Sequence, residues 1–312
     1  GNFIMNNELF WYKIYGTTLC SEIEYSHLIP TDERDADIYI KNTSSLLSMA
    51  EKETTYYVSP ITKTHILFCN QVGIFQITDG IIIDICPKEG ISMNQLTPFV
   101  FGYCIAMLFW QRNQLAIHCS AVEHDGNALI IAGDSGSGKS TLTTKLLENG
   151  FRLMTDDVAI VDISSEGDIM VYPAFPQQKL CRDAVHRNHL NTEDLLYIDE
   201  DRDKFAVPRR NCFCESPCKL SAMLCLSVQN EDSDVLLTEL NGHQKLISFL
   251  ENNFLFPMFR NSGGFCTEDM QKCLQTVQTL PLYRMMRPFG IDSTDIQLQK
   301  IQKIIFHSEE DN

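Results

Sequence analysis

The chemistry in this chain is concentrated in one short run, Gly133-Asp134-Ser135-Gly136-Ser137-Gly138-Lys139-Ser140-Thr141, whose first eight residues satisfy G-x-x-x-x-G-K-[ST] without a mismatch. The glycines let successive backbone N–H groups turn inward and form a concave anion site. Lys139 can then reach the β- and γ-phosphates of a nucleotide, and the Ser140 hydroxyl can ligate Mg2+. A helix opening at Lys139 adds the positive end of its dipole. Residue frequencies put the chance expectation of the pattern at about 0.005 in a chain of this size. ATP, with GTP as the alternative, is the expected ligand of Gly133 to Thr141.

Two further features fit phosphoryl chemistry. Asp156-Asp157 follows the glycine run by the length of one helix and one short strand. Ligands of open α/β sheets gather at the carboxyl ends of strands, where two adjacent carboxylates can divide the work, one holding a cation and one taking a proton. His118 lies fifteen residues before Gly133 in an apolar stretch. Such a histidine is more often a satisfied core residue than a catalytic one.

The elements that must position these residues can be read from patterning. Residues 128–132 form a short apolar run, as a buried strand does. A helix is expected over 139–149, closed by Gly150. Strands follow at 151–155, 158–163 and 168–172, giving an α/β unit with the glycine run at its first crossover. Residues 1–112 read as a β-rich lobe with strands at 10–15, 36–41, 56–58, 65–70, 73–78 and 81–86. Asp79-Gly80 favours a tight hairpin turn there. A buried helix, opened by Pro98, spans about 96–111. Residues 113–312 form the second domain. In it, 188–203 reads as an exposed loop or lid, 220–228 as a buried strand, and 243–252 and 267–278 as helices. A last helix is capped by Ser293 and carries Leu298, Ile301 and Ile305 on one face.

Composition narrows the partners. The 312 residues carry a formal net charge of -16, which disfavours nucleic acid and anionic membrane as partners. No apolar run reaches the roughly 18 residues a membrane span needs, and no secretory pattern opens the chain. The 12 cysteines read as reduced thiols of a cytoplasmic protein. The densest group, Cys212, Cys214, Cys218 and Cys225, lacks paired C-x2-C knuckles and a nearby histidine, so thiols are favoured over zinc there.

Taken together, His118, the run Gly133 to Ser140, Gly150-Phe151-Arg152-Leu153 and Asp156-Asp157 resemble the core of the HPr kinase/phosphorylase family, over about residues 115–163. Tyr172-Pro173-Ala174-Phe175-Pro176, Lys179-Leu180-Cys181-Arg182-Asp183-Ala184, the β-rich front lobe and residues 281–305 look more like the related kinases of lasso-peptide gene clusters, which phosphorylate a C-terminal serine of the precursor. The resemblance implies an α/β P-loop kinase core akin to phosphoenolpyruvate carboxykinase. It implies Asp156 as base with His118 tuning it, Asp157 and Ser140 on Mg2+, Lys139 on the phosphates, and Arg182 on the transferred phosphate. The partners it implies are a nucleotide and a peptide or small protein bearing an acceptor serine, with a homo-oligomer compatible. The sequence departs from the family at His118-Cys119, where HPr kinases carry His-Gly, and it lacks their glycine- and arginine-rich signature. Other readings of the same motif are HPr-type phosphorylation in carbon regulation, a nucleotide-hydrolysing switch, and a non-catalytic nucleotide sensor.

Overall fold

The computed structural model describes residues 8–49, 57–58, 63–199, 203–230, 233–259 and 266–308. The chain divides into two compact units. One is Gly1–Gln114 with Met258–Phe265, and the other is Leu115–Pro257 with Cys266–Asn312. Both belong to a mixed α/β protein. Among the described residues no helix is long and apolar enough to cross a membrane.

The first unit is built on an eight-stranded sheet of β1 (Phe10–Ile14), β2 (Thr17–Ser21), β3 (Ile29–Pro30), β4 (Ile38–Asn42), β5 (Tyr57–Val58), β6 (His65–Cys69), β7 (Gly73–Thr78) and β8 (Ile82–Pro87). Their order is β3-β1-β2-β4-β8-β7-β6-β5. Asp79 and Gly80 join β7 to β8 with φ of 55° and 67°, the doubly left-handed turn that the Asp-Gly pair favours. The helical run over 97–111 buries Val100, Phe101 and every residue from Cys104 to Trp110, with Pro98 in its first turn. Gln111, in its last turn, accepts from Gly80 N and donates to Ile77 O, so the helix end pins the hairpin.

The second unit holds a seven-stranded sheet of β9 (Leu115–His124), β10 (Asn127–Gly133), β11 (Arg152–Ile163), β12 (Ile169–Tyr172), β16 (Cys218–Gln229), β17 (Leu236–Glu239) and β18 (Leu282–Pro288). The order is β10-β9-β11-β12-β16-β18-β17, and β10 also pairs with β16. β10, β16 and β18 run parallel, whereas β9 is antiparallel to both β10 and β11. A second, three-stranded sheet orders β13 (Gln177–Cys181), β15 (Lys204–Pro208) and β14 (Leu196–Asp199) as β13-β15-β14.

Two expectations are corrected here. Residues 151–155 and 158–163 are one strand, because β9 offers a continuous partner across the aspartate pair. The break survives as a register irregularity near Leu153 and Thr155 and as a left-handed φ of 96° at Asp157. The expected loop at 188–203 contains β14, which pairs with β15 despite its acidic flanks; residues 200–202 lie outside the described set, as does most of the acidic 308–312 end.

The helix Lys139–Leu147 packs Leu142 and Leu146 into a core with Leu129, Ile131, Leu224 and Met285, joined by Leu298, Ile301 and Ile305 of the last helical run. Truncating a leucine in such a core costs about 2–5 kcal/mol. Ser293 is the N-cap residue of that last helix, as expected, but its hydroxyl bonds Gln297 and makes no capping bond. The side-chain bond to the first-turn amide comes from the preceding residue, Asp292, which accepts from Thr294 N at 3.0 Å.

Candidate active site

β10 is almost wholly apolar and buried up to Ala132, and the chain leaves it at Gly133 to enter the helix Lys139–Leu147 six residues later. Gly136 and Gly138 adopt φ of 86° and 94°, conformations that L side chains rarely take. Ser137 N donates to Asp134 O and closes a turn. Asp134, Ser135, Gly136 and Thr141 are exposed, whereas Ser137 is buried. The Ser137 Oγ has no hydrogen-bond partner. A buried hydroxyl in that state costs about 1–3 kcal/mol, so the loop holds a polar group suited to a ligand. The hard oxygens at the site, the Ser140 hydroxyl and two carboxylates, are the donors that Mg2+ takes.

The carboxylates lie at the same end of the sheet. In the ladder, Ile131 pairs with Ser120 and Ser120 with Asp156. Asp156 and Asp157 are therefore level with the last residues of β10, two strands away, or roughly 10 Å at the usual strand spacing. Asp156 is buried. Its Oδ1 accepts from Ser120 Oγ at 2.5 Å and its Oδ2 from Lys179 N at 2.7 Å.

Asp157 keeps 23% of its side chain exposed. It contacts His118 Nε2 through Oδ1 at 3.3 Å and Lys179 Nζ through Oδ2 at 3.0 Å. Burial pushes the Asp157 carboxyl up, but Lys179, the His118 hydrogen bond and Lys139 together hold it well below the usual carboxylate range. His118 is thus no core histidine: its side chain is 47% exposed and packs edge-on against Phe254. The structure sets it against Asp157, not against Asp156.

Strand β13 ties the two halves together. Gln178 Nε2 donates to Ser140 O at 3.3 Å and to Thr144 Oγ1 at 3.2 Å, on the helix after the glycine loop. The next residue, Lys179, serves both aspartates. Arg209 donates through Nε to Gln178 Oε1 at 3.0 Å, while its buried Nη2 has no hydrogen-bond partner. Arg287, at the end of β18, donates to Ser137 O at 2.6 Å and Gly136 O at 3.1 Å.

Sequence reasoning missed Lys179 and Arg287 as site residues, since each arrives from another sheet or a distant strand. Arg209 was legible locally, because the Arg209-Arg210 pair reads as a basic patch able to grip phosphate or an acidic peptide. Arg182, by contrast, is exposed and forked onto Asp203 at 2.8 and 3.0 Å, over the Phe205 ring.

Comparison with known proteins gives a limited likeness. Over 107 residues the chain is 28% identical to an HPr kinase/phosphorylase of Lachnoclostridium phytofermentans, covering 33% of this chain and 33% of that protein. The matched stretch therefore spans about a third of the relative's length. The Hpr(Ser) kinase/phosphatase from Coxiella burnetii aligns in structure over 60% of this chain and 93% of its own, with a TM-score of 0.31 at 10% identity. No family model matches the sequence.

Proposed function

We propose that the chain is a Mg2+-dependent kinase that transfers the γ-phosphoryl group of ATP, or of GTP, to a serine hydroxyl of a peptide or small protein. The observation that carries this reading is that two consecutive residues bridge the site: Gln178 bonds the Ser140 carbonyl and Lys179 bonds both aspartates. It holds a candidate phosphate loop and a candidate acid–base pair at one end of one sheet.

In this reading the P-loop amides from Gly133 to Thr141 and the Lys139 ammonium grip the phosphates. Ser140 and Asp157 would hold Mg2+, which offsets charge on the phosphates when bound. The low proton affinity of Asp157 suits it to a cation and not to a proton. Asp156 takes the proton of the acceptor hydroxyl, as general-base catalysis requires. His118 acts through Asp157, orienting its carboxylate. Arg209, whose free Nη2 asks for an anion, replaces Arg182 as the residue facing the transferred phosphate. Positioning and charge supply most of the rate in such transfers.

Acceptor identity has two sources. The relatives are named for HPr, and the likeness of residues 172–184 to lasso-peptide kinases favours a precursor with a C-terminal serine. Incubating the full chain with Mg-ATP and each candidate, then measuring the mass gain on serine, separates them. Asp156→Asn should abolish transfer and leave nucleotide binding intact, and Asp157→Asn should raise the Mg2+ requirement. Full turnover in Asp156→Asn would overturn the base assignment.

A further inference from the structure

A second cluster of chemistry-bearing side chains lies at the other end of the same sheet. Glu123 ends β9, Cys214 follows the Leu153–Phe213 bridge, and Cys218 opens β16. One ligand atom from each lies within 4.8 Å of the others, and all three residues are buried. In the ladder, Glu123 pairs with Ala128 and Lys219 with Asn127, at the start of β10. Gly133 is five strand residues further on, roughly 17 Å at the usual rise, so this cluster is separate from the glycine loop.

From Glu123, Cys214 and Cys218 we infer a zinc site built on two thiolates and one carboxylate. The two sulfurs are 3.8 Å apart. A tetrahedral zinc with Zn–S bonds of about 2.3 Å sets its sulfurs about 3.8 Å apart, so the pair needs no rearrangement to share an ion. The carboxylate oxygen, within 4.8 Å of both sulfurs, is the third ligand, at the Zn–O distance of about 2.0–2.2 Å when the ion is bound. Cys214-Glu215-Ser216-Pro217-Cys218 is C-x3-C, inside the spacing range of zinc knuckles.

The surroundings suit the ion as well. Glu123 Oε1 accepts from Gly126 N and Oε2 from Arg152 Nε, both at 2.8 Å, which leaves each oxygen a further lone pair and fixes the carboxylate's orientation. Arg152 also donates through Nη2 to Cys214 Sγ at 3.6 Å. Partners of this kind orient metal ligands. Charge closes too: two thiolates and a carboxylate are balanced by a dication and the Arg152 guanidinium. Water would complete the tetrahedron as fourth ligand. Zinc takes its cysteine ligands as thiolates, so loading releases thiol protons.

The test is a Co(II) titration of the reduced full chain, followed by Zn(II) displacement, with the zinc content of the purified protein measured alongside. Expected are a sulfur-to-cobalt charge-transfer band that saturates at about one ion per chain and is erased by zinc. C218S should lose the band and C181S should keep it. No band in the wild-type chain overturns the site, and this result needs no variant to fold. A band of full strength in the C214S/C218S double variant also overturns it, as does a native Cys214–Cys218 disulfide by mass spectrometry.

Discussion

The two ends of the second unit's sheet treat their polar groups in opposite ways. At the start of β10, every charged group has a local answer: Glu123 is held by Arg152 and Gly126, and both thiols donate to Ser216 O. At the end of β10 the Ser137 hydroxyl and the Arg209 Nη2 are buried without partners, and Lys139, Lys179, Arg209 and Arg287 gather around one loop and two aspartates. A closed polar network stabilises, whereas buried donors left over beside a glycine loop mark a place to look for an anionic ligand. The difference teaches where to look for turnover and where to look for structure.

The strongest way to break the comparison is Lys139→Ala. Removing one electrostatic contact to the transition state costs about 10^2–10^3 in rate, and nucleotide affinity should fall with it by calorimetry. Glu123→Gln at the other end should lower the melting temperature and leave turnover within about twofold. Equal loss of turnover in both variants would erase the distinction between the ends.

Arg287→Ala is next in size. Charged hydrogen bonds contribute about 1.5–3 kcal/mol each, and two hold the loop carbonyls of Gly136 and Ser137. The nucleotide Kd should rise by about 10-fold, with Mg2+ dependence unchanged. The Gly138→Ala variant should show the same defect, because a Cβ there would meet Arg287 Nε at 2.7 Å in a left-handed backbone.

Much of this was legible from sequence and some could not have been. The glycine run, the preceding strand and the following helix are local: turn residues, apolar runs and caps sit next to one another. The Asp79-Gly80 hairpin and the Pro98 helix are legible for the same reason. The aspartate strand was misjudged because Asp157 reads as a break. In the fold, β9 pairs across it and absorbs the left-handed residue as an irregularity. Lys179 and Arg287 were missed because the contacts that define them span 22 and 150 positions, whereas Arg209 showed only as half of a basic pair. The cysteine group read as thiols because its third candidate ligand, Glu123, comes from a strand before the glycine run.

Acid stability sharpens the contrast next. The Asp157 carboxyl is depressed in the folded state, so the unfolded chain binds its proton first as pH falls. Its stabilising contribution is complete above the ordinary carboxylate range, near pH 4, and is lost as pH drops through the folded value. Glu123 is shifted the same way: burial pushes it up and Arg152 and Gly126 outweigh that. Urea unfolding between pH 3 and pH 6 should show the acid slope reduced in Asp157→Asn more than in Glu123→Gln. The reverse order would place the tighter cation pairing at the cysteine end.

The smallest effect expected is at Arg182. Its fork onto Asp203 has both side chains nearly half exposed, at 47% and 45%, and exposed pairs contribute about 0–1 kcal/mol. Arg182→Ala should therefore change stability by less than about 1 kcal/mol and leave transfer within about twofold. Arg209→Ala should lower transfer by about 10-fold or more, because the guanidinium it removes is linked to Ser140 through Gln178 and has a donor to spare. Measuring kcat and KM for both variants against the same acceptor decides which arginine meets the phosphate. A loss confined to Arg182→Ala would require the three-stranded sheet to swing over the crevice during the reaction, and the leftover donor on Arg209 would then need another anion.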